Sequence, residues 1–89
     1  MTRYVRNPAV TETPLDDEVF LVEPHSDEVF YLDAVSSGLW RLLVEPTALA
    51  DLQVAYRAAF PDSDGTTVDR DVAAALDDMA ARGLVVEFD

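Results

Sequence analysis

Glu18-Val19-Phe20-Leu21-Val22-Glu23, Pro24-His25-Ser26-Asp27 and Glu28-Val29-Phe30-Tyr31-Leu32-Asp33 form the stretch on which the fold turns. Two β-branched and aromatic runs of strand length flank a four-residue turn segment, which predicts a β-hairpin. Beyond Asp33 the apolar period lengthens to that of a helix. Val35, Leu39, Leu42 and Leu43 fall on one side, with Trp40 beside them. Asp33 is placed to cap that helix, and Pro46 ends it because the residue before a proline is pushed out of the α region.

Working outward, Thr47 can cap a second helix with Leu49, Leu52, Tyr56 and Phe60 inward, stopped by Pro61. The loop Asp62-Ser63-Asp64-Gly65 leads to a third helix over about Val68 to Arg82, capped by Thr66 or Thr67. Its inward stripe is Val68, Val72, Leu76 and Met79, and Gly83 follows its last turn. Leu84-Val85-Val86-Glu87-Phe88 is a short terminal strand or extended tail. Upstream of the hairpin, residues 1–14 are polar and broken by Pro8 and Pro14, with Val10 at the centre of a short extended piece and residues 1–8 flexible. The expected fold class is α+β: an N-terminal three-stranded antiparallel sheet, then three helices and a short C-terminal extended tail, with residues 1–89 as one domain.

The composition removes several function classes. The chain has 89 residues, 18 Asp and Glu against 6 Lys and Arg, and a net charge of -12. A chain this short must commit nearly every large apolar residue to one core, leaving few for a deep catalytic pocket. With 49% hydrophobic residues it folds in spite of its charge. The outline of short helices, turn and closing strand is winged helix-turn-helix-like, yet the third helix carries Asp69, Asp71, Asp77 and Asp78 against Arg70 and Arg82. A phosphate backbone is repelled by such a helix, so nucleic acid is excluded. An anionic membrane surface is excluded on the same ground, and no apolar run approaches the roughly 20 residues of a membrane span. The first residues lack the apolar core of a signal peptide, and the absence of Cys suits a reducing compartment. A cytoplasmic protein is expected.

Catalytic and metal constellations fare no better. His25 is the single histidine and sits in a turn; Ser36 and Ser37 lack a nucleophile-elbow context and fit a helix start. Aligning Gly65 with the sixth position of a calcium loop puts Phe60 at position 1 and Asp71 at position 12, so two strong ligands are lost. No enzyme activity, no metal and no cofactor are expected.

The strand Glu28–Leu32 is the productive feature. In a three-stranded meander the first and third strands are edges. Pro14 guards the first. The third has neither Pro, Lys nor Gly, so it is covered by the protein, paired with a second copy, or offered to another chain.

Three blocks bear on that choice. Val29-Phe30-Tyr31-Leu32-Asp33-Ala34-Val35-Ser36-Ser37-Gly38-Leu39-Trp40-Arg41-Leu42-Leu43, Pro46-Thr47-Ala48-Leu49-Ala50-Asp51-Leu52 and Arg70-Asp71-Val72-Ala73-Ala74-Ala75-Leu76-Asp77-Asp78-Met79-Ala80-Ala81-Arg82-Gly83-Leu84-Val85 resemble the PqqD-like family in order and spacing, within a match that covers about residues 18–86. The resemblance implies a RiPP recognition element, a domain that binds the leader segment of a ribosomally made precursor peptide and presents it to a separate modifying enzyme. It implies that the leader adds as a strand along Val29, Phe30, Tyr31 and Leu32, facing Val68, Asp69, Val72, Ala75 and Leu76 of the third helix. Asp33 stands where the family usually has Asn, and Val44-Glu45-Pro46 where it often has an Asp-Gly turn. The subfamily is therefore left open between pyrroloquinoline quinone assembly, a lasso-type peptide and another modified peptide. The competing expectation is an acidic winged-helix interaction module, dimerising through the third strand.

Overall fold

A computed structural model describes residues 2–15, 18–23, 25 and 28–88. The hairpin is present as β3 (Glu18–Glu23) and β4 (Glu28–Leu32), preceded by β2 (Thr11–Leu15); the three form one antiparallel sheet in the order β2-β3-β4. The turn residues Pro24, Ser26 and Asp27 lie outside the described set. Register pairs Val19 with Leu32 and Leu21 with Phe30 on the core-facing side. Phe20 pairs with Tyr31 and Val22 with Val29 on the other. The burial alternates accordingly: Val19, Leu21 and Leu32 are buried, whereas Val29 and Tyr31 are 63% and 57% exposed.

Three helices follow: α1 (Ala34–Leu42), α2 (Leu49–Ala59) and α3 (Gly65–Ala81). Asp33 caps α1 as its sequence position predicts, its carboxylate accepting from the Ser36 N–H at 2.8 Å. The other two caps differ from expectation. Residue 48, not Thr47, is the N-cap of α2 and gives no side-chain bond, while Thr47 is drawn into backbone pairing with Tyr4 at 2.8 and 2.9 Å. The cap of α3 is Asp64, which accepts from the N–H groups of Thr66 and Thr67, so that helix starts three residues earlier than Val68. Leu42, expected inward, is 44% exposed, and Trp40 takes the buried place.

An element that the sequence pattern does not announce is β1 (Arg3–Arg6), which pairs antiparallel with β5 (Val85–Phe88). Where a flexible lead-in is the sequence-based expectation, the chain is instead tied to the end of α1 and to β5. The Arg6 N–H reaches the Leu43 carbonyl and the Asn7 N–H that of Leu84, both at 3.0 Å. The Arg6 guanidinium donates to the Trp40 carbonyl at 2.6 Å and lies 4.7 Å from the Trp40 ring centre. The tail is thereby a paired strand.

The core joins Leu39, Trp40 and Leu43 of α1, Leu52 and Tyr56 of α2, and Val72, Leu76 and Met79 of α3 with the inward strand residues. Gly83 ends α3 at φ +76, its N–H bonded to Ala80 O and that of Leu84 to Met79 O, a Schellman turn that turns the chain into β5. Among the described residues no helix is long and apolar enough to cross a membrane.

Candidate functional site

β4 is an edge strand: β3 lies on one side, and among the described residues no strand lies on the other. Its end is anchored. Ser37, buried in the first turn of α1, donates its hydroxyl to the Leu32 carbonyl at 3.1 Å. That bond, with the Asp33 cap, fixes where the strand stops and the helix begins.

Between this end of β4 and the C-terminal half of α3 runs a groove of about 250 Å³, lined by Tyr31, Leu32, Asp33 and Ser36 on one wall and by Asp78, Met79, Arg82 and Leu84 on the other. A wider depression of about 540 Å³ continues it past Phe30 and Glu28 to Glu23, His25 and Asn7, with Arg82 and Gly83 again in its wall. Arg82 stands where the two meet. Its Nε is 3.0 Å from the Asp78 carboxylate, and its guanidinium carbon lies 5.5 Å from the Phe30 ring centre. On the outer face of the sheet Tyr31 packs against Phe20, ring centres 5.4 Å apart.

The sequence-predicted positions divide. Val29, Phe30, Tyr31 and Leu32 all lie on β4, but only Phe30 and Leu32 turn inward. On α3, Val72 and Leu76 are each 1% exposed and belong to the core, and neither lines the groove beside β4. Val68 lines a separate pocket of about 170 Å³ with Val35, Tyr56, Phe60 and Asp71, between the three helices. Asp69 points away from β4: its carboxylate is 3.2 Å from Arg57 and its carbonyl accepts from Gln53, both on α2. Ala75 is partly buried against the core and is in neither groove wall; helical spacing alone puts it on the groove side of α3. It shares a flank with Asp71, Asp78 and Arg82, spaced by three and four residues. Asp78 and Arg82 are thus the groove residues missed in the sequence. The apolar stripe locates the core face of a helix, whereas the choice between its two flanks depends on which neighbour packs where.

The α1–α2 side carries a pocket of its own, about 370 Å³, with Gly38, Leu42, Ala55 and Phe60 in its wall, and the two helices are fastened beside it. The Tyr56 hydroxyl donates to the Val35 carbonyl at 2.5 Å. A Cβ at Gly38 would collide with that hydroxyl, so the approach of the two helices requires glycine there. Burial first and the nearby Asp33 charge second push the Tyr56 phenol up to about 12. The loop compared above with a calcium site spends Asp64 on the α3 cap. Among the described residues no three His, Asp or Glu side chains are placed to share a metal ion.

Comparison with known proteins adds three findings. The model of a family described as Coenzyme PQQ synthesis protein D (PqqD) matches residues 18–85. A solved structure described as TbiB1 in complex with the TbiA(beta) leader peptide is similar at 33% identity and TM-score 0.79, covering 91% of this chain and 93% of that one. A second, lasso peptide synthetase B1 complexed with the leader peptide, shares the fold at TM-score 0.77 and 18% identity, covering 93% and 96%. No curated protein matches the chain.

Proposed function

The chain belongs to the PqqD family, and from that membership we propose that it binds the leader segment of a ribosomally synthesised precursor peptide and presents it to a separate modifying enzyme, with no catalysis of its own. The leader adds as a strand on β4, and its inward side chains enter the groove against Asp78 and Arg82 of α3. One observation carries this: the edge strand of the sheet borders a groove walled by α3, in a chain one-third identical to a protein solved with a leader peptide. Strand addition draws affinity from main-chain hydrogen bonds and selectivity from pockets for alternate side chains. A peptide that orders on binding gives back roughly 2 to 5 kcal/mol, so moderate affinity is expected.

The test is an amide chemical-shift titration with the TbiA(beta) leader peptide and a scrambled control. Shifts are expected at residues 28–32 and along Asp71, Ala75, Asp78 and Arg82, with none from the scrambled peptide. Shifts confined to α1 and α2 would sink the strand-addition mechanism. A concentration-independent dimer in sedimentation that ignores the peptide would replace it with a dimerisation module built on β4.

A further inference from the structure

We propose that Arg82 sets the register of the bound peptide by taking one of its side-chain carboxylates; this rests on the peptide-binding reading above. Main-chain pairing alone does not choose a register, because a slide of two residues restores the same ladder and the same facing. Something in the groove must act as a fixed point.

The charges around β4 supply one. Glu23 and Glu28 line the depression at one end, Asp33 and Asp78 line the groove at the other, and Arg82 lines both. No other Arg lines either one among the described residues, and the sequence has no Lys. A basic residue on the peptide therefore meets attraction along the whole path and marks no position. A carboxylate is repelled everywhere except beside Arg82, so a single acidic residue is enough to choose between registers.

Arg82 is built for that contact. It is the C-cap of α3, in a turn closed by the bonds of Gly83 and Leu84 to the last helical carbonyls, so its backbone is fixed. The Nε faces Asp78 and the guanidinium rests near the Phe30 ring, which leaves the terminal amino groups to form a fork for a carboxylate. The Asp78 pair is exposed, at 58% for Asp78 and 48% for Arg82, and such pairs are weak and screened. Asp78 orients Arg82 without neutralising it.

The experiment is a fluorescence-anisotropy titration of the wild type, Arg82→Gln and Arg82→Lys. The probes are the TbiA(beta) leader peptide and a set of its variants in which all acidic residues are neutralised and a single Glu is walked along the chain. In the wild type one Glu position should bind roughly ten-fold more tightly than its neighbours. Arg82→Gln should level that preference while keeping the thermal midpoint and weak binding, Arg82→Lys should retain part of it, and Arg70→Gln on the far side of α3 should change nothing. Binding by the wild type without a preferred Glu position, or a preference that survives in Arg82→Gln, overturns the role of Arg82 and leaves peptide binding standing. If the wild type binds no probe, the peptide-binding reading falls and takes this inference with it.

Discussion

The two flanks of α3 each carry an aspartate and use it in opposite ways. Toward α2, Asp69 is tied to Arg57 and Gln53, and nearby the Tyr56 hydroxyl fastens α2 to α1. Toward β4, Asp78 and Arg82 line a groove. An aspartate at either place reads alike in the sequence; only the neighbour distinguishes a seam that is finished within the chain from one that leaves room for another. The buried stripe of Val72, Leu76 and Met79 runs between them. Substitutions on the stripe and on the α2 side should therefore move stability, and substitutions at β4 should move peptide affinity.

The sharpest way to break this comparison is Leu76→Ala. Leu76 is 1% exposed and packs among the helices, so its truncation should cost about 3 kcal/mol by lost transfer energy and cavity. Denaturant unfolding should show the loss, with peptide affinity of the folded fraction intact. A variant of wild-type stability that fails to bind would move Leu76 into the groove and erase the division between stripe and flank.

Val29→Pro makes the converse test. Val29 is largely exposed and on the outer face, so proline there spares the inward residues Phe30 and Leu32 while removing a main-chain donor and adding a ring to the edge. Leader-peptide binding should fall roughly a hundred-fold, ~2.7 kcal/mol, with a much smaller change in thermal midpoint. Equal losses in both would mean that β4 holds the fold more than it receives a strand.

How much of this was legible in the sequence depends on how local the cause is. The hairpin, the Asp33 cap and the glycine ending of α3 follow from neighbouring residues, and all three are found. β1 is not legible: Arg3-Tyr4-Val5-Arg6 has too few apolar residues to signal a strand, and its partners are Thr47 and the far end of the chain. The cap of α3 was expected at Thr66 or Thr67, whereas Asp64 takes it by accepting from the N–H groups of both. The open edge at β4 was visible because edge strands without guards are a pattern. The α3 wall of the groove was not, because helical spacing marks the buried face but says nothing of which flank meets β4.

A smaller effect separates the seams by pH. The Tyr56 phenol is raised to about 12 by burial and by Asp33, so the folded state holds its proton more tightly than the unfolded chain. This contribution to stability is complete below the unfolded value, near 10, and is lost as pH climbs through the folded one. Unfolding free energy should fall from pH 10 toward 12 in the wild type, and Tyr56→Phe should start lower and flatten that part of the decline. An unaltered decline in the variant would assign it to other groups and remove Tyr56 as the fastening of α2 to α1.

Asp69→Asn is the smallest change and the most discriminating between the two flanks. Its partner Arg57 is 48% exposed, so the pair is screened and contributes no more than about 1 kcal/mol. Stability should drop by that or less, more at low salt than at high. Peptide affinity should stay within a factor of about two, because the carboxylate faces α2. The same substitution at Asp78 lies in the groove wall and releases the Nε of Arg82 from its partner, so it should alter the preference for a peptide carboxylate while barely touching the midpoint. If Asp69→Asn weakened the peptide as much as Asp78→Asn, the two flanks would not be distinct surfaces, and α3 would have to turn on its axis when the leader binds.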